Sequence, residues 1–102
     1  MNVLTITGRL TKKPEIEKTT TGKNVCNVPI AVRKSADEAM FIYARFWEDT
    51  AKFVEKYFDK GQMIAISGEL VIDSYFDKND QKKQLVYINA NKVDFCGEKR
   101  KD

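Results

Sequence analysis

The chain contains no histidine, the side chain that most often acts as a general base, so it has no Ser-His or Cys-His pair. Its carboxylates show no paired spacing typical of acid–base chemistry. Only two cysteines are present, Cys26 and Cys96, and without imidazole they cannot complete the four-ligand sets of structural zinc. We therefore predict a non-enzymatic protein with no catalytic residues, no metal site and no cofactor.

Long hydrophobic runs are also missing. No apolar run approaches the roughly 20 residues that cross a bilayer, and the N-terminus lacks the basic and then apolar segments of a secretory signal. We expect a cytoplasmic protein without membrane contact. In that compartment a disulfide is disfavoured, and Cys26 is expected to be a small buried residue, since it shares strand parity with Val28 and Ile30.

The composition is that of one ordinary globular domain. The 102 residues are 42% hydrophobic and 32% charged, enough for a single core. The net charge of +3 is compatible with a polyanionic partner but too small to establish one. We predict one domain over residues 1–97 and a short charged tail over residues 98–102.

Five stretches alternate apolar and polar residues with the period of a β-strand. They are Val3–Leu10, Asn24–Arg33, Met40–Trp47, Met63–Tyr75 and Leu85–Phe95. The first is expected to resume briefly around Ile16, and the fourth places Ile64, Ile66, Leu70 and Ile72 on one face.

Three local signals complete the predicted fold. Pro29 lacks an amide donor, so the second strand should be an edge or bulged there, and Gly68 predicts a bulge or bend in the fourth. Glu48-Asp49-Thr50 predicts the start of a helix that ends at Lys60-Gly61. The sequence therefore predicts an all-β OB-fold, a five-stranded Greek-key barrel with one short helix between strands 3 and 4.

The third strand has two different faces. One is apolar, and the other carries three aromatic rings and a guanidinium: Phe41, Tyr43, Arg45 and Trp47. Exposed flat rings beside a fixed positive charge suit stacked bases next to a phosphate. Aromatic residues are also enriched in buried strands, so this stretch alone is equally compatible with a second core or a subunit interface.

Three motifs, in order and at matching separations, carry a family resemblance. They are Leu-Thr-Ile-Thr-Gly-Arg-Leu-Thr-Lys-Lys-Pro-Glu at residues 4–15, the Gly-containing turn and strand at residues 20–32, and Lys-Gly-Gln-Met-Ile-Ala-Ile-Ser-Gly-Glu-Leu at residues 60–70. Over nearly its whole length the chain resembles the bacterial and phage single-stranded DNA-binding proteins.

The resemblance implies which rings stack on bases. The family's aromatic positions fall on Phe41, Trp47 and Tyr75, whereas a further tryptophan position falls near Ala36, where the stacking site is lost. Tyr43 is left between base contact and subunit interface.

The resemblance also implies phosphate contacts. The family's basic positions on strand 4 fall on Val71 and Asp73 here, so compensating charge is expected from other cations. These are Arg33, Lys34, Arg45, Lys78, Lys82 and Lys83. For the three hairpin lysines a solvated turn is an equal alternative.

The implied function is non-catalytic, largely sequence-independent binding and protection of single-stranded DNA in replication, recombination and repair. The implied assembly is a homotetramer of dimers whose first strands pair. The alternatives are a dimeric primosomal OB-fold protein and an OB-fold protein–protein module. The C-terminus lacks the acidic tip with which cellular members recruit enzymes, so we expect a minimal phage, plasmid or accessory member, or a shortened chain.

Overall fold

The computed structural model describes residues 1–97, which form six strands and one helix. The elements are β1 Leu4–Leu10, β2 Glu17–Lys18, β3 Asn24–Arg33, β4 Ala39–Trp47, α1 Glu48–Tyr57, β5 Met63–Phe76 and β6 Lys82–Phe95. The five predicted strands correspond to β1, β3, β4, β5 and β6, and β2 is the short continuation predicted around Ile16. The predicted tail over residues 98–102 lies outside the described residues.

One sheet closes on itself to make the barrel. The strand order is β1-β5-β6-β4-β3-β2, and an additional β1–β3 pairing joins its two sides. That closing pair involves only Arg9 with Ala31 and Leu10 with Ile30, whereas β1 pairs with β5 over six residue pairs. The β4–β6 pair is parallel, and the other pairs are antiparallel. The predicted partly open OB-fold barrel, with its helix between the third and fourth long strands, is confirmed.

Pro29 lies where β3 lacks a continuous neighbour on one edge. The register with β1 ends at Ile30, and the register with β2 begins at Val25, which leaves a gap between them. The Pro29 carbonyl points into this gap and accepts the Thr11 amide and hydroxyl at 3.2 and 2.7 Å. A backbone amide at position 29 would point into the same gap, where no neighbouring strand offers a carbonyl to accept it. A proline therefore costs β3 no ladder hydrogen bond at this position. The predicted edge character is therefore confirmed as a local gap.

The core lies between the inner faces of the strands and α1. Helix residues Ala51 and Val54 are buried in it, together with Phe58 just beyond the helix. Cys26 is fully buried as predicted, and this burial raises the pKa of its thiol to about 11. Within residues 1–97, no helix has the length and apolar character needed to cross a bilayer.

The expectation that Leu70 and Ile72 continue the core face of Ile64 and Ile66 is wrong. Leu70 is 37% exposed and Ile72 55%, whereas the two earlier isoleucines are buried. The register with β6 shifts between Ser67 and Gly68, and the pairing of β5 with β1 ends at Gly68. Beyond that point β5 pairs only with β6, and β6 enters the barrel only at Tyr87, its first pair with β4. Residues 72–86, here called the β5–β6 arm, form a two-stranded hairpin, and within residues 1–97 no further layer covers this face.

Candidate nucleic-acid interface

Strand register places the predicted aromatic row on one outward surface. In β4, Phe41 is paired with Ala31, Tyr43 with Pro29, Arg45 with Asn27 and Trp47 with Val25. On the other side of β4, Tyr43 is paired with Tyr87 and Arg45 with Asn89. Because directly paired residues project to the same side of a sheet, all of these side chains share one surface. We call it the outer face.

The four predicted stacking residues have different settings on this face. Phe41 is 67% exposed, Tyr43 is exposed and Trp47 is half-buried. Tyr75 is exposed on the β5–β6 arm. In β5, Tyr75 follows four positions after Val71, which is paired with Tyr87. Because every second side chain of a strand projects to the same side, Tyr75 lies on the same side of the sheet as Tyr87. The register thus brings three rings together on β4 and extends the face to a fourth on the arm.

The junction of β4 and α1 fixes the end of the row. Trp47 is the residue that precedes the helix, and Glu48 adopts a left-handed backbone with φ of +48°. Its Oε1 atom accepts the backbone amide of Asn24 at 2.7 Å, which ties this junction to the start of β3. The predicted helix start is confirmed, but the Glu48 carboxylate bonds β3 instead of capping α1. The helix ends at Tyr57, before the predicted Lys60-Gly61 stop.

Arg45 lies at the centre of the outer face with its guanidinium held on two sides. Its Nε donates to Asn27 Oδ1 at 2.8 Å, and its Cζ lies 4.0 Å from the centroid of the Tyr87 ring. The Tyr87 hydroxyl donates to Asp73 Oδ2 at 3.4 Å. Sequence analysis identified Arg45 but missed Asn27 and Tyr87. Both occupy outward positions on their strands, yet only the pairing of β3, β4 and β6 shows that they meet Arg45.

The cations predicted at the β3–β4 connection lie at one edge of the outer face. Arg33 is exposed at the end of β3, and the Lys34 ammonium lies 3.9 Å from Glu38 in the exposed connection. Arg33 also lines a groove of about 590 Å³ that reaches Arg9 on β1. Since Arg9 is paired with Ala31, and Ala31 with Phe41, the groove adjoins the aromatic row. Arg9 is a basic neighbour that sequence analysis left outside the candidate site, although its parity on β1 marked it as outward.

The three predicted hairpin lysines do not lie together. Lys83 is paired with Tyr75 and so shares the outer face with it. Lys82 is paired with Phe76 and projects to the opposite side of the arm. Lys78 lies in the turn, where the Asp77 carboxylate accepts the amides of Asn79 and Gln81 at 2.9 Å each. In the part of the chain that is described, no three His, Cys, Asp or Glu residues cluster as a metal site would require.

The sequence matches the profile of the Single-strand binding protein family over residues 1–96. The chain belongs to this family. The resemblance identified from the three motifs is therefore confirmed across the whole barrel.

Among its relatives is single-stranded DNA-binding protein 1 of Clostridium acetobutylicum, which is 35% identical over 98% of this chain and 97% of the relative. A single-stranded DNA-binding protein 1 of Staphylococcus aureus strain MSSA476 is 30% identical over 100% of this chain and 69% of the relative. Single-stranded DNA-binding protein B of Bacillus subtilis strain 168 is 28% identical over 99% and 95% of the two chains.

Proposed function

We propose that this protein binds and protects single-stranded DNA, without catalysis and with little sequence preference, during replication, recombination and repair. The observation that carries the proposal is the exposed aromatic row of β4 on the outer face of a Single-strand binding protein family barrel. Phe41 and Tyr43 keep large apolar surfaces in water, which the fold itself does not require. Bases stacked on them would remove that surface from water.

The proposed strand path runs along β4 and out onto the β5–β6 arm. Phe41, Trp47 and Tyr75 stack bases, with Tyr43 between them, and each stacked base contributes roughly 1–3 kcal/mol. Every base has a π face, so this contact tolerates any sequence. The cations proposed to follow the phosphates lie at the edges of the path: Arg33, Lys34, Lys78 and Lys83. Lys82 projects to the opposite side of the arm, so we expect it to contribute less.

The assembly that we propose is a homotetramer of dimers whose β1 strands pair. One edge of β1 pairs with β5 from Leu4 to Arg9, but its other edge pairs with β3 only at Arg9 and Leu10. The remaining backbone of that second edge is available to a second copy, and Thr5 and Thr7 are exposed beside it. Light scattering tests this directly, and a dimer would favour the primosomal type of assembly. We also propose a cytoplasmic location, where the DNA is.

A fluorescence titration tests the DNA-binding proposal. Trp47 is the single tryptophan of the chain, so oligo-dT that stacks on the outer face should quench the intrinsic emission strongly. The affinity should fall as the salt concentration rises. Binding releases salt cations that are condensed on the DNA, and this release is less favourable when the solution already contains more salt. Phe41→Ala and Tyr75→Ala should weaken binding. The matched control is Phe76→Ala, which removes an exposed ring from the opposite side of the same arm.

An absence of quenching at low salt would count against DNA binding. A second result, equal affinity for the Phe41→Ala, Tyr75→Ala and control variants, would count against base stacking on the outer face. The second result would favour a protein–protein module whose aromatic surface is a subunit contact.

A further inference from the structure

We propose that Arg45 stacks a base on its guanidinium plane, and that Tyr87 and Asn27 are the residues that position this plane. The inference rests on the proposed binding of single-stranded DNA to the outer face. It assigns to Arg45 a contact with a base instead of the phosphate contact expected from the sequence.

The first argument is the way in which the guanidinium is held. Its Cζ lies 4.0 Å above the Tyr87 centroid, and Asn27 fixes its Nε at 2.8 Å. Tyr87 is only 9% exposed, whereas Arg45 is half-buried, so the guanidinium covers the ring and itself meets solvent. A planar guanidinium that stacks on one aromatic ring still offers its other side to a second flat group. Bases stack on arginine planes as they do on aromatic rings.

The second argument is the spacing along β4. Side chains on one face of a strand recur about every 7 Å, so Tyr43 and Trp47 alone would leave a gap of about 13 Å. Arg45 lies between them on the same face. With its guanidinium held between Tyr87 and Asn27, the row from Phe41 to Trp47 contains a flat group at every outward position.

The third argument is electrostatic. The Nε donor of Arg45 already bonds Asn27, so the guanidinium edge formed by Nε and one Nη atom is closed to a two-bond phosphate contact, and only the Nη donors remain. The Tyr87 hydroxyl in turn bonds the carboxylate of Asp73, which places a negative charge on the same face. That carboxylate opposes an approaching phosphate but not an uncharged base. The acidic residue that looked unfavourable in the sequence therefore orients the ring beneath Arg45.

The decisive variant is Arg45→Lys, which keeps the charge and removes the plane. On oligo-dT we expect its affinity to fall about fivefold or more, the lower end of what one stacked base contributes. The slope of log affinity against log salt should not change, because the number of cations facing the DNA is unchanged. On an oligomer of equal length made of abasic sites, the loss should disappear.

The opposite pattern would overturn the proposal. If Arg45 contacts a phosphate, Arg45→Lys binds like the unaltered protein on both oligomers, and Arg45→Gln lowers the salt slope by about 0.7. If the unaltered protein itself does not bind oligo-dT at low salt, the proposed function fails. If it binds and Arg45→Lys equals it, the stacking role alone fails.

The positioning residues need a readout beyond stability. Asn27→Ala leaves the Tyr87 ring in place but frees Nε, so we expect weaker binding with a steeper salt slope, as the released guanidinium reaches a phosphate. Tyr87→Leu should reproduce the loss of Arg45→Lys, and the two losses should not add in the double variant. If Tyr87→Leu fails to fold, Asn27→Ala decides alone. An unchanged affinity and slope for Asn27→Ala would show that Asn27 does not position the plane.

Discussion

Each face of β4 carries one phenylalanine, and the two phenylalanines have opposite roles. Phe46 points inward and has no exposed surface, whereas Phe41, five positions earlier on the other face, is 67% exposed. The inner face is covered by the rest of the barrel and by α1, and the outer face has no covering layer within the described residues. The difference teaches that side-chain type does not set the role of a phenylalanine on this strand. The role is set by whether other parts of the barrel cover the face on which the phenylalanine lies.

The largest expected effect comes from breaking the inner face. Phe46→Ala should lower the free energy of unfolding by about 3–5 kcal/mol, because it removes buried surface and leaves a cavity. Urea denaturation followed by circular dichroism measures this. The matched control is Phe41→Ala, for which we expect a change within about 0.5 kcal/mol. Equal losses for both variants would mean that the outer face is also packed.

The burial of the inner face can also be tested by measuring stability against pH, because Cys26, which is paired with Phe46, carries a titratable thiol on that face. Burial raises the pKa of the folded thiol to about 11 from 9.0, so above pH 9 the folded state holds a proton that the unfolded state releases. Stability from this group is therefore complete below pH 9 and is lost as pH rises toward 11, by about 3 kcal/mol in total. Other groups also titrate there, so the measurement is the difference in urea midpoint between the unaltered protein and Cys26→Ala across this range. A constant difference would contradict it.

Breaking the outer face should affect binding and leave the fold intact. Phe41→Ala should weaken oligo-dT binding by about 1–3 kcal/mol, or roughly 5- to 150-fold, because one base loses its stacking partner. Fluorescence titration of Trp47 measures it, alongside the stability control already described. Binding that survives unchanged would remove Phe41 from the strand path.

The smallest effect separates the two sides of the arm. Lys83→Gln should reduce the salt slope of binding by about 0.7, as expected for the loss of one phosphate contact on a single strand. Lys82→Gln should change it less, because Lys82 is paired with Phe76 on the opposite side. The comparison uses titrations at several salt concentrations. Equal slopes for the two variants would place both lysines, or neither, beside the DNA.

Alternation in the sequence was enough to predict the strands and the two faces of β4, because a strand turns successive side chains to opposite sides. Pro29 and Gly68 marked their irregularities for similarly local reasons, a missing donor and a missing side chain. Alternation failed at Leu70 and Ile72. It shows that two residues share a face but not that anything covers it, and the pairing of β5 with β1 has already ended there.

The centre of the candidate site was beyond local reasoning. The partners of Arg45 come from β3 on one side and β6 on the other, and the second of these pairings is parallel. The position of Asn27 or Tyr87 in the sequence does not reveal such registers. The rings of β4 were predictable because one strand carries them, whereas the support beneath Arg45 requires three.

The parallel pairing of β4 with β6 also couples this surface to folding. Arg45 and Tyr87 are separated along the chain by α1 and β5, so their contact is non-local and of the kind that slows β-barrel folding. An unfolded or partly opened chain therefore has no such surface. DNA bound across this seam would stabilise the closed barrel by mass action, by about 2.7 kcal/mol when the free DNA concentration is 100 times the Kd. Bound DNA would thus stabilise the pairing of the same strands that form its binding surface.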